Sequence, residues 1–143
     1  IFMPSSKNIL CFDFGEKRIG VALGNSFTKI AHPLLTIESQ INTERFKIIE
    51  NLLKKWNSDF VVVGIPLNDD GSENKLTKLA RKFADKIHNK FNLPVFSIDE
   101  RFTSLEAESI LREQGIKIRK NKELVDQIAA KIILESYFRE NCA

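Results

Sequence analysis

The chain has little with which to staple itself together or to grip a soft metal. It carries two cysteines in 143 residues. Cys11 sits inside an apolar run and Cys142 near the end, so no disulfide is expected, and a reducing cytoplasm suits the pair. The two histidines, His32 and His88, stand far from every motif described below, which leaves no imidazole or thiolate cluster. No apolar run approaches the ~20 residues of a membrane span, and no charged-then-apolar leader is visible. Ile1 and Phe2 precede Met3, and residues 1–8 are expected to be a tag or a flexible N-terminus. A strong charge imbalance is also missing. Lys and Arg number 22 against 19 Asp and Glu, a net charge of +3 that permits a polyanionic partner without requiring one. Repeats, low-complexity tracts and linkers are absent, so residues 1–143 are expected to form a single domain. With 43% hydrophobic and 29% charged residues the composition is that of a globular protein.

What is present is a carboxylate in an unexpected place. Asp13 interrupts the apolar run Ile9-Leu10-Cys11-Phe12-Asp13-Phe14, and a buried carboxylate is costly unless a cation or metal pairs with it. Gly15 permits a sharp turn, and Ile19-Gly20-Val21-Ala22 returns as a second strand, displaying Lys17 and Arg18 on the turn. Read alone, Asp13 is equally an aspartate at a strand end salvaged by Lys17 or Arg18.

The remaining periodicities give the architecture. Residues 9–14 and 18–24 read as strands, and 31–37 as an edge strand because it carries Pro33. Phe46, Ile49, Leu52, Leu53 and Trp56 predict a helix over 42–56. The β-branched run 60–65 suits a central strand covered on both faces. Leu76, Leu79, Ala80, Phe83, Ile87 and Phe91 mark a second helix, and 95–98 a fifth strand ending in Asp99-Glu100-Arg101. Thr103 and Glu106 read as a capping box opening a third helix that Gly115 stops, and a final helix spans about 123–138. Short connections make the first three strands an antiparallel meander, and helical crossovers make the later two parallel. The expected fold is α/β, a mixed five-stranded sheet with helices on both faces. Ligands in such sheets bind at the carboxyl ends of the parallel strands, where Asp13, Gly64-Ile65-Pro66 and Asp99-Glu100 all lie.

Alternation allows only one of Asp99 and Glu100 to face Asp13, and either acid could instead serve the N-terminus of the following helix. Asp126, in the first turn of the last helix, has the same two readings. Ala129 and Ala130 would let that helix lie close to the sheet and turn Asp126 inward.

These residues resemble a family. Phe12-Asp13-Phe14-Gly15-Glu16-Lys17-Arg18-Ile19-Gly20-Val21-Ala22 is similar to the first motif of the YqgF family, also called RuvX-type or Holliday-junction-resolvase-like. Gly64-Ile65-Pro66-Leu67 with Asp70-Gly71-Ser72-Glu73 resembles its second motif. Asp99-Glu100-Arg101-Phe102-Thr103-Ser104 with Ala107 resembles the third, and Val125-Asp126-Gln127-Ile128-Ala129-Ala130 the last. The order is the family's and spans nearly the whole chain. Asn74 stands where the pattern has glycine, and Phe102 where leucine is common.

The resemblance implies a ribonuclease H-like fold and metal-dependent cleavage of nucleic-acid phosphodiesters, with Asp13, Glu100 and Asp126 as the metal-binding carboxylates and Asp99 as the alternative to Glu100. It also links the family both to maturation of the 16S ribosomal RNA precursor and to Holliday-junction resolution. RNA processing is the expected role here; junction cleavage, or nucleic-acid binding without catalysis, is the alternative. An all-carboxylate donor set favours Mg²⁺ or Mn²⁺, and a pair of ions about 4 Å apart would serve an in-line displacement. Lys17, Arg18 and Arg101 could hold the flanking phosphates, and Gly15 and Gly20 would let the backbone approach the strand being cut. Lys117, Arg119, Lys120 and Lys122 form either a solvated loop or a grip on substrate. The expected partner is single-stranded or structured RNA, with junction DNA second, and the expected state a monomer or weak homodimer. A kinase-like reading of the Asp-x-Gly hairpin would need two lobes, and 143 residues supply one.

Overall fold

The computed structural model describes residues 6–141. Five strands, β1 (Asn8–Asp13), β2 (Ile19–Asn25), β3 (Ala31–Ile37), β4 (Ser58–Ile65) and β5 (Val95–Asp99), form one sheet in the order β3-β2-β1-β4-β5. The pairs β1–β2 and β2–β3 are antiparallel, and β1–β4 and β4–β5 parallel. This is the mixed sheet that the connection lengths require. Pro33 lies on edge strand β3, beside the register shift at Val21/Ala22, where a missing N–H disturbs little.

Strands β1 and β4 begin one and two residues earlier than the apolar runs suggest. Lys7 and Asn8 are tied to the sheet: the Lys7 N–H donates to the Ser26 hydroxyl at 2.9 Å, and the Asn8 N–H to Asp59 Oδ2 at 2.9 Å. The expectation of a tag or flexible terminus over 1–8 therefore fails for these two residues. Ile1 to Ser5 lie outside the described residues, as does Cys142. Cys11 is a buried free thiol.

Helices α1 (Asn42–Lys55) and α2 (Lys75–Phe91) cover one face of the sheet. There Leu10, Phe12, Val61 and Val63 meet Phe46, Ile49, Phe83 and Ile87 in the larger core. Helix α4 (Lys122–Asn141) covers the other face through Ala130, Ile133, Leu134, Tyr137 and Phe138. Helix α3 (Thr103–Glu113) does not touch the sheet as a layer; it packs on the outer side of α4 through Ala107 and Leu111 against Val125, Ala129 and Ile132. Covered on both sides, α4 has no polar face opposite its apolar one, hence its poor amphipathic pattern.

Two local signals resolve differently from expectation. The Thr103–Glu106 capping box does not form: Phe102 is the N-cap residue, and Thr103 is already within the first turn and buried. A reciprocal box forms instead at α2, where Asn74 accepts from the Thr77 N–H and the Asn74 N–H donates to Thr77 Oγ1, both at 3.0 Å. Asn74, the departure from the family's glycine, thus has a capping role. Gly115 ends α3 as expected. It adopts φ +76°, and the Gly115 and Ile116 N–H groups return to the carbonyls of Arg112 and Leu111.

Close approach of α4 depends on small residues across the sheet. A methyl group on Gly20 would lie 2.0 Å from the Asp126 carbonyl oxygen, and one on Gly24 2.7 Å from Leu134 Cδ2. Gly20 therefore serves the helix rather than a bound strand, which corrects its expected role. Gly15 closes the β1–β2 turn, where a Cβ would meet the Arg18 carbonyl at 2.5 Å. Gly20→Ala should cost about 2–3 kcal/mol by overpacking, because helix backbone cannot rotate aside as a side chain would. Urea unfolding of the variant tests this, and an unchanged midpoint would mean that α4 sits farther from β2.

Candidate active site

Asp13 is the last residue of β1, and its neighbours across the ladder are Gly20 on β2 and Gly64 on β4. All three point to the α4 face, since Cys11, Ala22 and Val62, two residues along, pack there. On the β2 side, the space that a side chain would fill holds the Asp126 backbone. On the β4 side it holds Ile133 Cδ1, 2.5 Å from a Cβ built on Gly64, and the Glu100 carboxyl group, 2.9 Å from it. Asp13 is thus bracketed by the other two acids because its strand neighbours have no side chains.

Glu100 follows β5 and keeps its phase, two residues after the buried Ile98. Its N–H donates to the Ile65 carbonyl at 3.1 Å, which fixes the strand end. The Glu100 carboxyl hydrogen-bonds Asp13. Asp99 points the other way and pairs with Arg101 at 2.8 Å. The choice left open by alternation thus falls to Glu100 as the acid facing Asp13.

Each of these acids keeps some accessible surface, yet their carboxyl groups are largely shut off from water. Loss of solvation is the largest cause of a raised pKa in both. Asp13 is pushed up to about 6 and Glu100 to about 11. The contact between them lowers the first and raises the second, so the two carboxyls titrate as one coupled pair that favours sharing a proton. Beneath them Cys11 is held as a thiol by burial and by the two acids.

Asp126 sits in the first part of α4 and is raised by burial, with Arg18 acting against the rise. Arg18 Nε donates to Asp126 Oδ2 at 2.7 Å. The helix start is further tied to β3: Thr36 Oγ1 donates to the Glu123 carbonyl at 2.9 Å and Gln127 Nε2 to Thr36 Oγ1 at 3.2 Å. As they stand, no three carboxylate, imidazole or thiol groups among the described residues are gathered tightly enough to hold a metal ion. The donor chemistry nevertheless fits one. Two enclosed carboxyls share a proton that a divalent cation would replace, and Asp126 borders the same space.

That space is a cavity of about 380 Å³ lined by Asp13, Glu100, Asp126, Arg18 and Arg101, with Phe14, Pro66, Leu67, Phe102 and Leu105 forming an apolar rim. Of the expected phosphate-holding residues, Arg18 and Arg101 line it, both already paired with acids. Lys17 is exposed on the turn and does not. Lys117, Arg119 and Lys120 line a different cavity of about 530 Å³ with Arg112, Ile116 and Ile118, around the short helical turn Ile118–Lys120. The basic loop and the acidic centre are therefore separate features.

Arg45 was not anticipated. It is 3% exposed. Its guanidinium donates to the Gly15 and Glu16 carbonyls at 3.0 and 2.6 Å and lies over the Phe14 ring at 5.8 Å. It therefore holds the turn that carries Arg18. The signal was its spacing, since position 45 falls in the row 45, 49, 52, 56 on the buried side of α1.

Both central carboxyls titrate higher in the folded chain than in the unfolded one. Their protonated forms favour folding, a contribution complete below the ordinary carboxylate range and lost as pH rises, for Asp13 through about 6. In EDTA, the melting temperature of wild type relative to Asp13→Asn should fall as pH rises from about 4 to about 6. A constant difference would mean that the pair is not desolvated.

Comparison with known proteins agrees with this architecture. The sequence profile of the family described as "RuvX: Holliday junction resolvase" matches residues 7–140. A Methylobacillus flagellatus protein named "Putative pre-16S rRNA nuclease" is 50% identical over 130 residues, 91% of this chain and 89% of that one. An Escherichia coli protein of the same name is 50% identical over 135 residues, 94% and 98% of the two chains. Among solved structures, the fowlpox virus Holliday junction resolvase has a TM-score of 0.57 at 18% identity, covering 93% of this chain and 98% of that one. Thermus thermophilus RuvC in complex with Holliday junction substrate has 0.54 at 14%, covering 94% and 95%. At such identities the likeness speaks for the ribonuclease H-like fold alone. The profile and the two half-identical relatives span nearly the whole chain, and the chain belongs to the RuvX family.

Proposed function

We propose that this chain is a divalent-metal-dependent endonuclease acting on RNA, with the 5′ end of the 16S ribosomal RNA precursor as substrate, and that Asp13, Glu100 and Asp126 hold the metal. The observation that carries the reading is the bracketed trio, in which two carboxyls sharing a proton and a third paired with arginine border one open cavity. A binding module has no use for acids whose burial opposes folding. The RNA assignment rests on the names of half-identical relatives that align over nearly their whole length.

Oxygen ligands without thiolate or imidazole favour Mg²⁺ or Mn²⁺. When bound, such an ion supplies Lewis-acid polarisation of the scissile phosphate. The chain's own residues do the rest. With a cation bound, the proton shared by Asp13 and Glu100 would be released to solvent, and both central acids could then serve as ligands. Arg18, held at Nε by Asp126, has its other guanidinium N–H groups to offer a phosphate oxygen, and Arg45 keeps the turn in place for it. Arg101, anchored by Asp99 on the opposite rim, offers a second contact. Lys117, Arg119 and Lys120 extend the grip outside the acidic cavity. We place the protein in the cytoplasm as a monomer or weak homodimer; no helix of the described residues is long and apolar enough to cross a membrane.

Junction cleavage is the second reading, favoured by the family's description. Purified protein offered precursor ribosomal RNA, unpaired RNA and four-way junction DNA at one metal and salt concentration separates the two. RNA should be cut faster with Mg²⁺ or Mn²⁺, little with Ca²⁺ and not in EDTA. Symmetric nicking of the junction with RNA left whole would overturn the ranking. Asp13→Asn should lower the rate by at least about 10²–10³-fold, since several kcal/mol of charge stabilisation are lost. Full activity in the variant would remove Asp13 from the site.

Neutralising Lys117, Arg119 and Lys120 together should weaken RNA binding and reduce the log–log salt slope by about 0.7 per lost phosphate contact. An unchanged slope would make the loop a solvated bystander.

A further inference from the structure

The acidic cavity has a rim that phosphate chemistry does not explain. Phe102 lines it two residues beyond Glu100 and is 55% exposed. Leu105, one helical step later, is 63% exposed on the same rim. Two large apolar groups beside buried carboxylates help neither a cation nor an anion, and neither is covered by the chain.

The backbone at Phe102 sharpens the point. It adopts φ 67° and ψ 1°, the left-handed region that glycine or asparagine occupies readily and a bulky residue does not. The conformation is locked, because the Thr103 N–H donates to the Glu100 carbonyl and the Glu106 N–H to that of Phe102, both at 3.1 Å. The turn from β5 into α3 would form more easily with glycine. A phenylalanine held there, facing water, is strained without a packing return, as happens where a side chain must be presented to a ligand. The same hydrogen bonds fix its position relative to Glu100.

We propose that Phe102 is a base-stacking platform, taking the nucleobase adjacent to the phosphate that lies over Asp13, Glu100 and Asp126, with Leu105 extending the apolar surface. The proposal rests on the nuclease reading and specifies its substrate. A strand with its phosphate among these acids carries a base beside it, and a π-face is what an exposed ring at the cavity edge can hold. The base must be unpaired, since in a duplex both faces are covered by neighbours. Stacking is indifferent to base identity, so Phe102 selects for unpaired nucleotides rather than for sequence. Where family members carry leucine at this position, the apolar contact remains and the ring stack is lost.

The test uses the full chain in Ca²⁺, where binding is read without cleavage. RNA carrying 2-aminopurine at successive positions around the cut should show quenching at one position with wild type and with Phe102→Trp. Phe102→Gly should abolish the quench and weaken RNA binding by about five- to thirty-fold. Its melting temperature should be equal or higher, because glycine relieves the left-handed strain; a merely structural phenylalanine would give the opposite. An abasic nucleotide at the quenched position should make wild type and Phe102→Gly bind alike. Equal binding of intact RNA by the two proteins, or a difference that persists on abasic RNA, overturns the proposal. RNA binding and quenching by a protein that cuts nothing in Mg²⁺ or Mn²⁺ would sink the nuclease reading and leave the platform standing; no RNA binding at all would sink both.

Discussion

The acidic centre exists because a helix can touch a sheet. Helix α4 reaches the backbone of β2 at Gly20, and only that contact brings Asp126 to the same end of the sheet as Asp13. The requirement runs crosswise through three strands. Asp13 is flanked by two glycines in register, one making room for Asp126 and the other for Glu100. Side chains at those two positions would separate the acids as surely as replacing one of them. Thr36 and Gln127 then hold the helix start against β3, so that its position is fixed where the chemistry requires it.

The two faces of the sheet therefore do different work. Toward α1 and α2 the strands present large side chains, and Phe12, Phe14 and Phe46 gather around Phe83 with ring centroids 5.0–5.9 Å apart. That face carries much of the apolar burial on which stability depends. Toward α4 the strands present Cys11, Gly20, Ala22, Gly24 and Gly64 along with a few larger residues, a surface that admits a helix closely at some expense in buried area. Helix α3 covers the back of α4 and so restores burial that a solvent-facing α4 would lose.

Much of this was legible in the sequence where local physics decides the outcome. Connection lengths dictated which strands run antiparallel and which parallel, Pro33 marked the edge, and a carboxylate inside an apolar run singled out Asp13. What required three dimensions was convergence. Alternation reduced Asp99 and Glu100 to one, but the register of β5 on β4 was needed to say which. Asp126 could not be separated from an ordinary helix-start acid until Gly20 was seen beneath it. The capping box at Thr103 failed because Phe102 took a backbone conformation that its residue type disfavours, which propensity rules cannot foresee. Arg45 was passed over among the apolar residues of its helix, although its spacing placed it on the buried side. Lys117, Arg119 and Lys120 precede Asp126 closely in sequence yet line a different cavity, around the helical turn Ile118–Lys120 that precedes α4.

Electrostatics argues that the centre is retained for use rather than for stability. Burial raises all three acids, and the chain supplies relief only in part: one proton for Asp13 and Glu100, one guanidinium for Asp126. Amides in the same places would keep the shape and most of the hydrogen bonds without the desolvated charge. A fold selected for stability alone would have taken that route. This fold instead enlists Arg45 to secure the turn bearing Arg18, leaves the cavity open, and spends two glycines to bring the acids together. Such arrangements persist where incomplete charge compensation is itself the useful property, because a site already neutralised would have no affinity left for a cation.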